Sequence, residues 1–102
     1  MARFFVSRAA RADIHRIVDY LETSASKAVA LRFALAFDAV FDRIADIPGV
    51  GSRRAEFGPN VRLSIVDPYL VFYDYDLTND TVMVLRVLHG HRNITVDMLR
   101  RS

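Results

Sequence analysis

Three apolar segments separated by turn residues, all in the second half of the chain, constrain its fold more than any other feature. Val61–Val66 alternates apolar and polar side chains, and Tyr69–Asp76 follows it after the turn residues Asp67 and Pro68. A second polar turn leads to the third segment, residues 82–88. The pattern predicts an antiparallel meander of three strands, and a cluster of histidine and arginine directly follows the last strand.

The N-terminal half predicts one short strand and two helices. Arg3–Val6 is suited to a strand, and Ser7 is suited to cap a first helix whose apolar residues recur at helical spacing. Small hydroxyl residues at 23–26 interrupt that spacing, and either serine there is suited to cap a second helix that runs to about Asp46. Pro48 ends this second helix because proline disfavours helical conformation at the residue before it.

The order strand, helix, helix and three strands predicts an α+β fold with a helical hairpin packed on an antiparallel sheet. Residues 94–101 are compatible with a short C-terminal helix. A chain of 102 residues supports one hydrophobic core, so we expect residues 1–102 to form a single domain. Without cysteine it has neither disulfides nor thiolate zinc sites. Its N-terminal apolar stretch is too short for a signal peptide and no later run has membrane-spanning length, so we expect a cytoplasmic protein without membrane contact.

The second helix is apolar over more of its circumference than one sheet face requires. Its core stripe consists of Phe33, Phe37, Val40, Phe41 and Ile44. Leu31, Ala34 and Leu35 form a second apolar line beside that stripe. We therefore expect Leu31 and Leu35 to contact a partner protein, and a homodimer through the same helix is the structural alternative.

The basic residues suit contact with a polyanion or an acidic partner segment, and a genome whose codons favour arginine is an equally good explanation, since the net charge is only +2. All but one of the 14 basic residues are arginine, which suits forked contacts to phosphate or carboxylate. A dedicated nucleic-acid binder usually carries a larger excess of positive charge. Seven residues in the basic loop and around the last strand are candidates for contact with a target, namely Arg53, Arg54, Arg62, Arg86, His89, His91 and Arg92.

Two of these candidates have a structural alternative. Strand alternation predicts that Arg86 shares a face with its neighbours two residues away, Val84 and Leu88, and there it is a possible ion-pair partner for Asp74 or Asp76. His89, at the end of the strand, is equally suited to hydrogen bonding with the backbone. It shares a face with His91 only if the strand continues past the glycine between them.

The same residues, in this order, resemble the RelE/ParE superfamily of toxins from type II toxin–antitoxin systems, and more closely its ParE-like branch. The matching motifs cover nearly the whole chain and lie at residues 7–14, 19–21, 32–33, 47–51, 68–73 and 85–92. The resemblance implies a compact bacterial toxin that needs no cofactor and is held inactive by a cognate antitoxin, ParD-like or of another type. It also implies that the antitoxin, rather than this chain, binds operator DNA.

The resemblance leaves two toxic functions open. The ParE-like branch is associated with poisoning of DNA gyrase, which is a binding activity. The RelE-like branch cleaves messenger RNA on the ribosome, and that reaction needs an acid, a base and cations. In the RNA-cleaving relatives a tyrosine or histidine of the C-terminal tail contributes, with lysines or a glutamate nearby, and residues 94–102 contain none of these. The sequence therefore favours gyrase inhibition, with no assigned catalytic or metal-ligating residue. RNA cleavage, or a homologue with lost or different activity, is the alternative.

Overall fold

A computed structural model describes residues 2–100, which form a five-stranded sheet with two long helices on one face. The strands are β1 (Arg3–Val6), β2 (Ser52–Arg53), β3 (Val61–Val66), β4 (Tyr69–Asp76) and β5 (Thr81–His89). The helices are α1 (Arg8–Ser24), α2 (Lys27–Asp46) and the short α3 (Val96–Arg100), and 3-10 turns occur at Pro48–Val50 and Ala55–Phe57. The predicted α+β fold is confirmed, with the two-residue β2 as an addition to the predicted elements.

The sheet is mixed, whereas the sequence predicted an antiparallel one. The spatial order is β1-β5-β4-β3-β2, and the last four strands in this order pair antiparallel. β1 instead lies parallel to β5, with Arg3 beside Thr81 and Val6 beside Val84. The difference arises because the helical hairpin carries the chain away from β1, so that β1 is joined later by the last strand of the meander rather than by its neighbour in sequence.

Both long helices begin where the sequence predicted. The side chain of Ser7 accepts a hydrogen bond of 3.0 Å from the backbone N–H of Ala10 and caps α1. Of the two serines considered for α2, Ser26 is the cap, and it accepts from Val29 N–H at 3.1 Å. α2 ends at Asp46, just before the proline that disfavours its continuation.

The main core lies between the helical hairpin and the sheet. Phe37 and Ile44 of α2 are at most 1% exposed there, and burying each stabilises the fold by about 1.5–3 kcal/mol. Tyr69 of β4 meets the edges of Phe33 and Phe37, with ring centroids 5.6 and 5.9 Å apart. A smaller cluster on the opposite face packs α3, through Leu99, against Phe72 and other sheet residues.

A β-bulge in β5 changes which side chains face the helices. Phe72 pairs with Arg86 but Tyr73 pairs with Val84, so Leu85 is an extra residue without a partner in β4. Val84 consequently belongs to the core on the helical side, whereas Leu88 belongs to the cluster on the opposite side. The prediction that Arg86 shares one face with both of them was therefore wrong, because the extra residue breaks the period-two alternation.

Tyr73 fastens the turn after α2 to the sheet. Its hydroxyl donates to the carbonyl of Pro48 at 2.7 Å and accepts from the backbone N–H of Gly51 at 2.8 Å. Position 51 has no room for a side chain, since a Cβ there would lie 2.5 Å from the tyrosine hydroxyl oxygen. The phenol hydroxyl thus takes the place of backbone partners for the carbonyl of Pro48 and the N–H of Gly51, which the turn leaves unpaired.

We expect Tyr73→Phe to lower the free energy of unfolding by about 1–3 kcal/mol, because it leaves the buried N–H of Gly51 without an acceptor. Urea unfolding of both proteins measures the difference. Tyr75→Phe is the matched control, since its hydroxyl bonds to the exposed Asp80 and its loss should cost less. Equal effects of the two substitutions would contradict a fastening role for Tyr73.

Candidate functional site

The structure separates the seven predicted target-contact residues into three places. We call Arg53, Arg54 and Arg62 the β2–β3 corner, and His89, His91 and Arg92 the β5 exit. Arg86 lies between them in sequence, within β5. Arg62 pairs with Tyr73 and His89 pairs with Tyr69, so the two groups are about 13 Å apart along the strands and about 10 Å apart across them. A single small ligand therefore does not reach both groups at once.

The three arginines of the β2–β3 corner differ in how strongly the fold engages them. Arg53 and Arg62 are cross-strand neighbours. Arg62 is engaged in the fold, because its Nη1 donates to the carbonyls of Gly49 at 3.2 Å and Gly51 at 2.8 Å. Arg53 and Arg54 each make one long contact with a backbone carbonyl, of 3.5 and 3.3 Å. Arg53 and Arg54 are therefore the two cations of this corner that are most available for contact with another molecule.

The β5 exit brings the two histidines together by a turn and not by a continuing strand. β5 ends at His89, and the N–H of Gly90 donates to the carbonyl of Pro68 at 2.8 Å. His91 folds back so that its ring stacks on that of His89, with centroids 4.9 Å apart and planes inclined by 27°. His89 also meets the edge of Tyr69 at 5.5 Å, and its Nδ1 accepts from the backbone N–H of His91.

Arg86 is a structural residue, and its partner is not the one that the sequence suggested. Its Nε and Nη2 donate to the two carboxylate oxygens of Asp13, at 2.7 and 2.8 Å, and its Nη1 donates to the carbonyl of Met98 at 2.9 Å. The expectation of a partner on β4, Asp74 or Asp76, was wrong because Asp13 of α1 and the carbonyl of Met98 engage the guanidinium group instead. The hydrogen bond that Arg86 donates to Asp13 raises the pKa of Arg86 against the opposing effect of desolvation.

Asp13 is the residue that sequence reasoning missed. It is 3% exposed, and besides Arg86 it accepts from the backbone N–H of Val87 at 2.9 Å. A signal was present in the sequence, since Asp13 lies three residues after Ala10 and four before Ile17, on the apolar stripe of α1. A carboxylate in such a position needs a buried partner, and the partner is a strand arginine 73 residues away.

The predicted partner-contact leucines are exposed on α2. Leu31 is 60% and Leu35 is 58% exposed, large fractions for apolar side chains on a helix that packs against a core. Asp38 and Asp42 are exposed further along the helix, at the spacing that continues the same line. The outer surface of α2 therefore presents two leucines followed by two carboxylates, which suits a segment with apolar and basic side chains.

Two further properties concern the described residues 2–100 alone. Within them no three histidine, aspartate or glutamate side chains converge closely enough to hold a metal ion. No helix there combines the length and the apolar character that crossing a bilayer requires.

The family comparison decides the class of the protein. Residues 4–94 match the model of the ParE toxin of the type II toxin–antitoxin system parDE. The chain belongs to the ParE toxin family. The match runs from β1 to the residues just before α3, so it includes the β2–β3 corner, the β5 exit and the exposed leucines.

Individual relatives agree with this membership. The ParE-family chain is 26% identical over 103 residues to Toxin ParE3 of Caulobacter vibrioides, and the match covers 100% of both proteins. Its fold is similar to a chain of the chromosomal ParDE system of P. aeruginosa, with a TM-score of 0.73, 19% identity and coverage of 87% and 96% of the two chains. The toxin–antitoxin complex RelBE2 of Mycobacterium tuberculosis gives a TM-score of 0.62 at 20% identity, covering 86% and 96%. Toxins of the ParE and RelE branches thus share this fold.

We expect Asp13→Ala to lower the free energy of unfolding of the ParE-family chain by about 3–5 kcal/mol, because it leaves the partly buried guanidinium of Arg86 without its counter-charge. Chemical denaturation monitored by circular dichroism measures the loss. Arg16→Ala is the control. It removes the other ion pair of the same carboxylate, but this arginine is 65% exposed and its loss should cost at most about 1 kcal/mol. A comparable loss in both variants would show that the ion pair of Asp13 with Arg86 contributes no more to stability than the exposed pair with Arg16.

Proposed function

We propose that this ParE-family chain inhibits DNA gyrase and is neutralised by a cognate antitoxin. The observation that carries the proposal is the family match over residues 4–94, together with the resemblance of the sequence motifs to the gyrase-directed ParE-like branch. Inhibition of this kind needs a contact surface rather than a catalytic centre. The proposed target acts on chromosomal DNA, so the proposal also implies a location in the cytoplasm.

The β2–β3 corner is the part of the surface that best suits contact with gyrase. Arg53 and Arg54 extend from a loop and a two-residue edge strand, and their guanidinium groups are not committed to an ion pair within the described residues. Arginine makes forked hydrogen bonds to carboxylates of a protein or phosphates of DNA. Gyrase in complex with its substrate offers both kinds of group.

RNA cleavage is the second candidate, and the stacked histidines of the β5 exit are the observation that favours it. His89 and His91 are near a third candidate, Arg92, whose backbone N–H bonds to the carbonyl of His89 at 3.0 Å. Two imidazoles and a cation are suitable groups for moving protons at a phosphate. Against this candidate, Arg86 is held by Asp13 and the cations of the β2–β3 corner lie too far away to stabilise the same phosphate.

We expect the double variant Arg53→Ala/Arg54→Ala to inhibit the supercoiling activity of purified gyrase at least about tenfold more weakly. A hydrogen bond to a charged group contributes about 1.5–3 kcal/mol, and about 1.4 kcal/mol corresponds to a factor of ten. The matched control, Arg8→Ala/Arg11→Ala on α1, removes the same charge elsewhere and should keep full inhibition.

The gyrase assay, an RNA-cleavage assay on ribosomes and pulse-labelling of cells together separate the two candidate functions. If the unaltered chain leaves gyrase active but cleaves messenger RNA on purified ribosomes, and His89→Ala/His91→Ala abolishes the cleavage, the gyrase proposal is wrong. If the chain stops DNA synthesis before protein synthesis in pulse-labelled cells, RNA cleavage is excluded as the primary action.

The exposed leucines of α2 are the proposed antitoxin contact. We expect Leu31→Asp/Leu35→Asp to weaken the toxin–antitoxin complex at least about tenfold in titration calorimetry, since burying each leucine contributes up to about 1.5–3 kcal/mol. Gyrase inhibition should be retained, because these side chains lie on the helical layer away from the β2–β3 corner. Ile47→Asp is the matched control, as this residue is 57% exposed but lies beyond the end of α2. Unchanged affinity of the double variant would remove α2 from the interface.

A further inference from the structure

A small open pocket of about 230 Å³ lies where β3 begins and β4 ends, and we call it the arginine pocket. It is smaller than most small-molecule sites, which measure about 300–1,000 Å³, so it suits a single side chain of a partner. Both charged side chains in its lining are arginines, and charge complementarity therefore selects an anion. The lining includes Arg53, Pro59, Asn60, Arg62, Tyr75 and Leu77.

The two arginines of the pocket lie opposite each other without an acidic partner. Arg53 of β2 is the direct cross-strand neighbour of Arg62 of β3. Like charges in such positions destabilise a sheet. Neither arginine forms an ion pair with a carboxylate of residues 2–100. An anion bound between the two guanidinium groups would relieve their repulsion.

Arg62 is held in place by the fold through one end of its guanidinium group only. Its Nη1 donates to the carbonyls of Gly49 at 3.2 Å and Gly51 at 2.8 Å. Its Nε and Nη2 have no acceptor among the described residues. The side chain is half-buried and already ordered by these two bonds, so a ligand of the free edge would not have to immobilise it.

Arg86 of the same chain shows what this arrangement binds. Its Nη1 likewise donates to a backbone carbonyl, that of Met98, at 2.9 Å. Its Nε and Nη2 donate to the two carboxylate oxygens of Asp13, at 2.7 and 2.8 Å. Arg62 has the same commitment of Nη1 but nothing on the Nε–Nη2 edge, whose two parallel N–H groups match the oxygens of a carboxylate. Arg62 thus has the geometry of Arg86 without its acidic partner.

The surroundings of the pocket favour a carboxylate over a phosphate backbone. Asp76 adjoins Tyr75 and Leu77 in the chain, and Asp80 accepts a hydrogen bond of 2.9 Å from the Tyr75 hydroxyl. A nucleic-acid strand carries a charge at every nucleotide and would pass these two carboxylates, whereas one acidic side chain needs only the arginines. The 74% exposed Leu77 adds an apolar surface that suits a protein segment.

We propose that the arginine pocket binds an aspartate or glutamate side chain of a partner protein. Arg62 contacts the carboxylate through Nε and Nη2, Arg53 supplies the second cation, and Leu77 contacts an apolar neighbour of the acidic residue. Assigning that residue to gyrase rests on the proposed function. The pocket specifies which chemical group the β2–β3 corner recognises, and it adds Arg62 as a residue that positions and binds this group.

The test uses two synthetic peptides with leucines on both sides of one central residue, which is aspartate in one peptide and asparagine in the other. NMR titration follows the Nε–H signals of Arg53 and Arg62. We expect the aspartate peptide to shift both signals in a saturable way and to bind at least about tenfold more tightly, because hydrogen bonds between two charged groups are the stronger ones. A short DNA duplex at the same salt concentration should shift the Arg62 signal less than the aspartate peptide does.

Three variants identify the side chains responsible. Arg62→Lys keeps the charge but loses the fork, so it should lose most of the preference for aspartate. Arg53→Ala should also lower the preference, and because this side chain is exposed, the variant tests the pocket without endangering the fold. Arg8→Ala is the matched control, since it removes the same charge from the exposed start of α1 and should keep the preference.

Equal binding of the two peptides, or an aspartate preference that persists in both Arg62→Lys and Arg53→Ala, would overturn the proposal. A larger shift of the Arg62 signal with DNA would overturn it in favour of a phosphate ligand. None of these outcomes depends on toxicity. A chain that inhibits gyrase without preferring the aspartate peptide would reject the pocket alone, whereas a chain that shows the preference and does not inhibit gyrase would reject the proposed target alone.

Discussion

The carboxylate of Asp13 is the interaction on which the arrangement of sheet and helices depends. β1 pairs with β5 only as far as Val84, so the rest of β5 has an open edge on that side. The Ser7 hydroxyl donates to the carbonyl of Leu85 at 2.8 Å, and Asp13 accepts from the N–H of Val87 at 2.9 Å, so two side chains of the β1–α1 segment replace the missing strand. The same carboxylate orders Arg86, which in turn holds α3 through the carbonyl of Met98. Asp13 of α1 thereby pairs with a backbone N–H at the edge of β5. Through Arg86 it also connects α1 on one face of the sheet with α3 on the other.

This use of Arg86 determines which of the basic residues remain for binding. An arginine that donates through Nε, Nη1 and Nη2 to partners within the chain has little capacity left for a target. Arg62 is also committed in part, because it braces the turn after α2. What remains are Arg53 and Arg54 at the β2–β3 corner and His89, His91 and Arg92 at the β5 exit. The functional surface is therefore divided, which is easier to reconcile with a broad protein contact than with a compact catalytic centre.

The sequence predicted the elements well because their signals are local. Ser7 and Pro48 mark a helix start and a helix end by properties of one residue and its immediate neighbours, and both predictions were confirmed. The parallel pairing of β1 was missed because it joins residues 78 positions apart, as in Arg3 and Thr81, and no local pattern encodes it. The partner of Arg86 was missed for the same reason, since Asp13 lies 73 residues away on α1. The faces of β5 were predicted wrongly for another reason, because an extra residue at Leu85 reverses the direction of every later side chain and alternation alone does not reveal a bulge.

Asp13 and Asp74 show how the degree of burial determines whether a carboxylate needs a donor from the chain. Both aspartates lie among apolar side chains, and burial disfavours the charge of each. Asp13 recovers this cost within the chain, through two hydrogen bonds from Arg86 and one from Val87. Asp74 has no such donor among the described residues, but it lies in an open groove beside Val61 and Met83, and none of the buried side-chain nitrogen or oxygen atoms of residues 2–100 lacks a hydrogen-bond partner, so solvent reaches its carboxylate. A buried carboxylate thus needs donors from the chain itself, whereas water can hydrate one that solvent reaches.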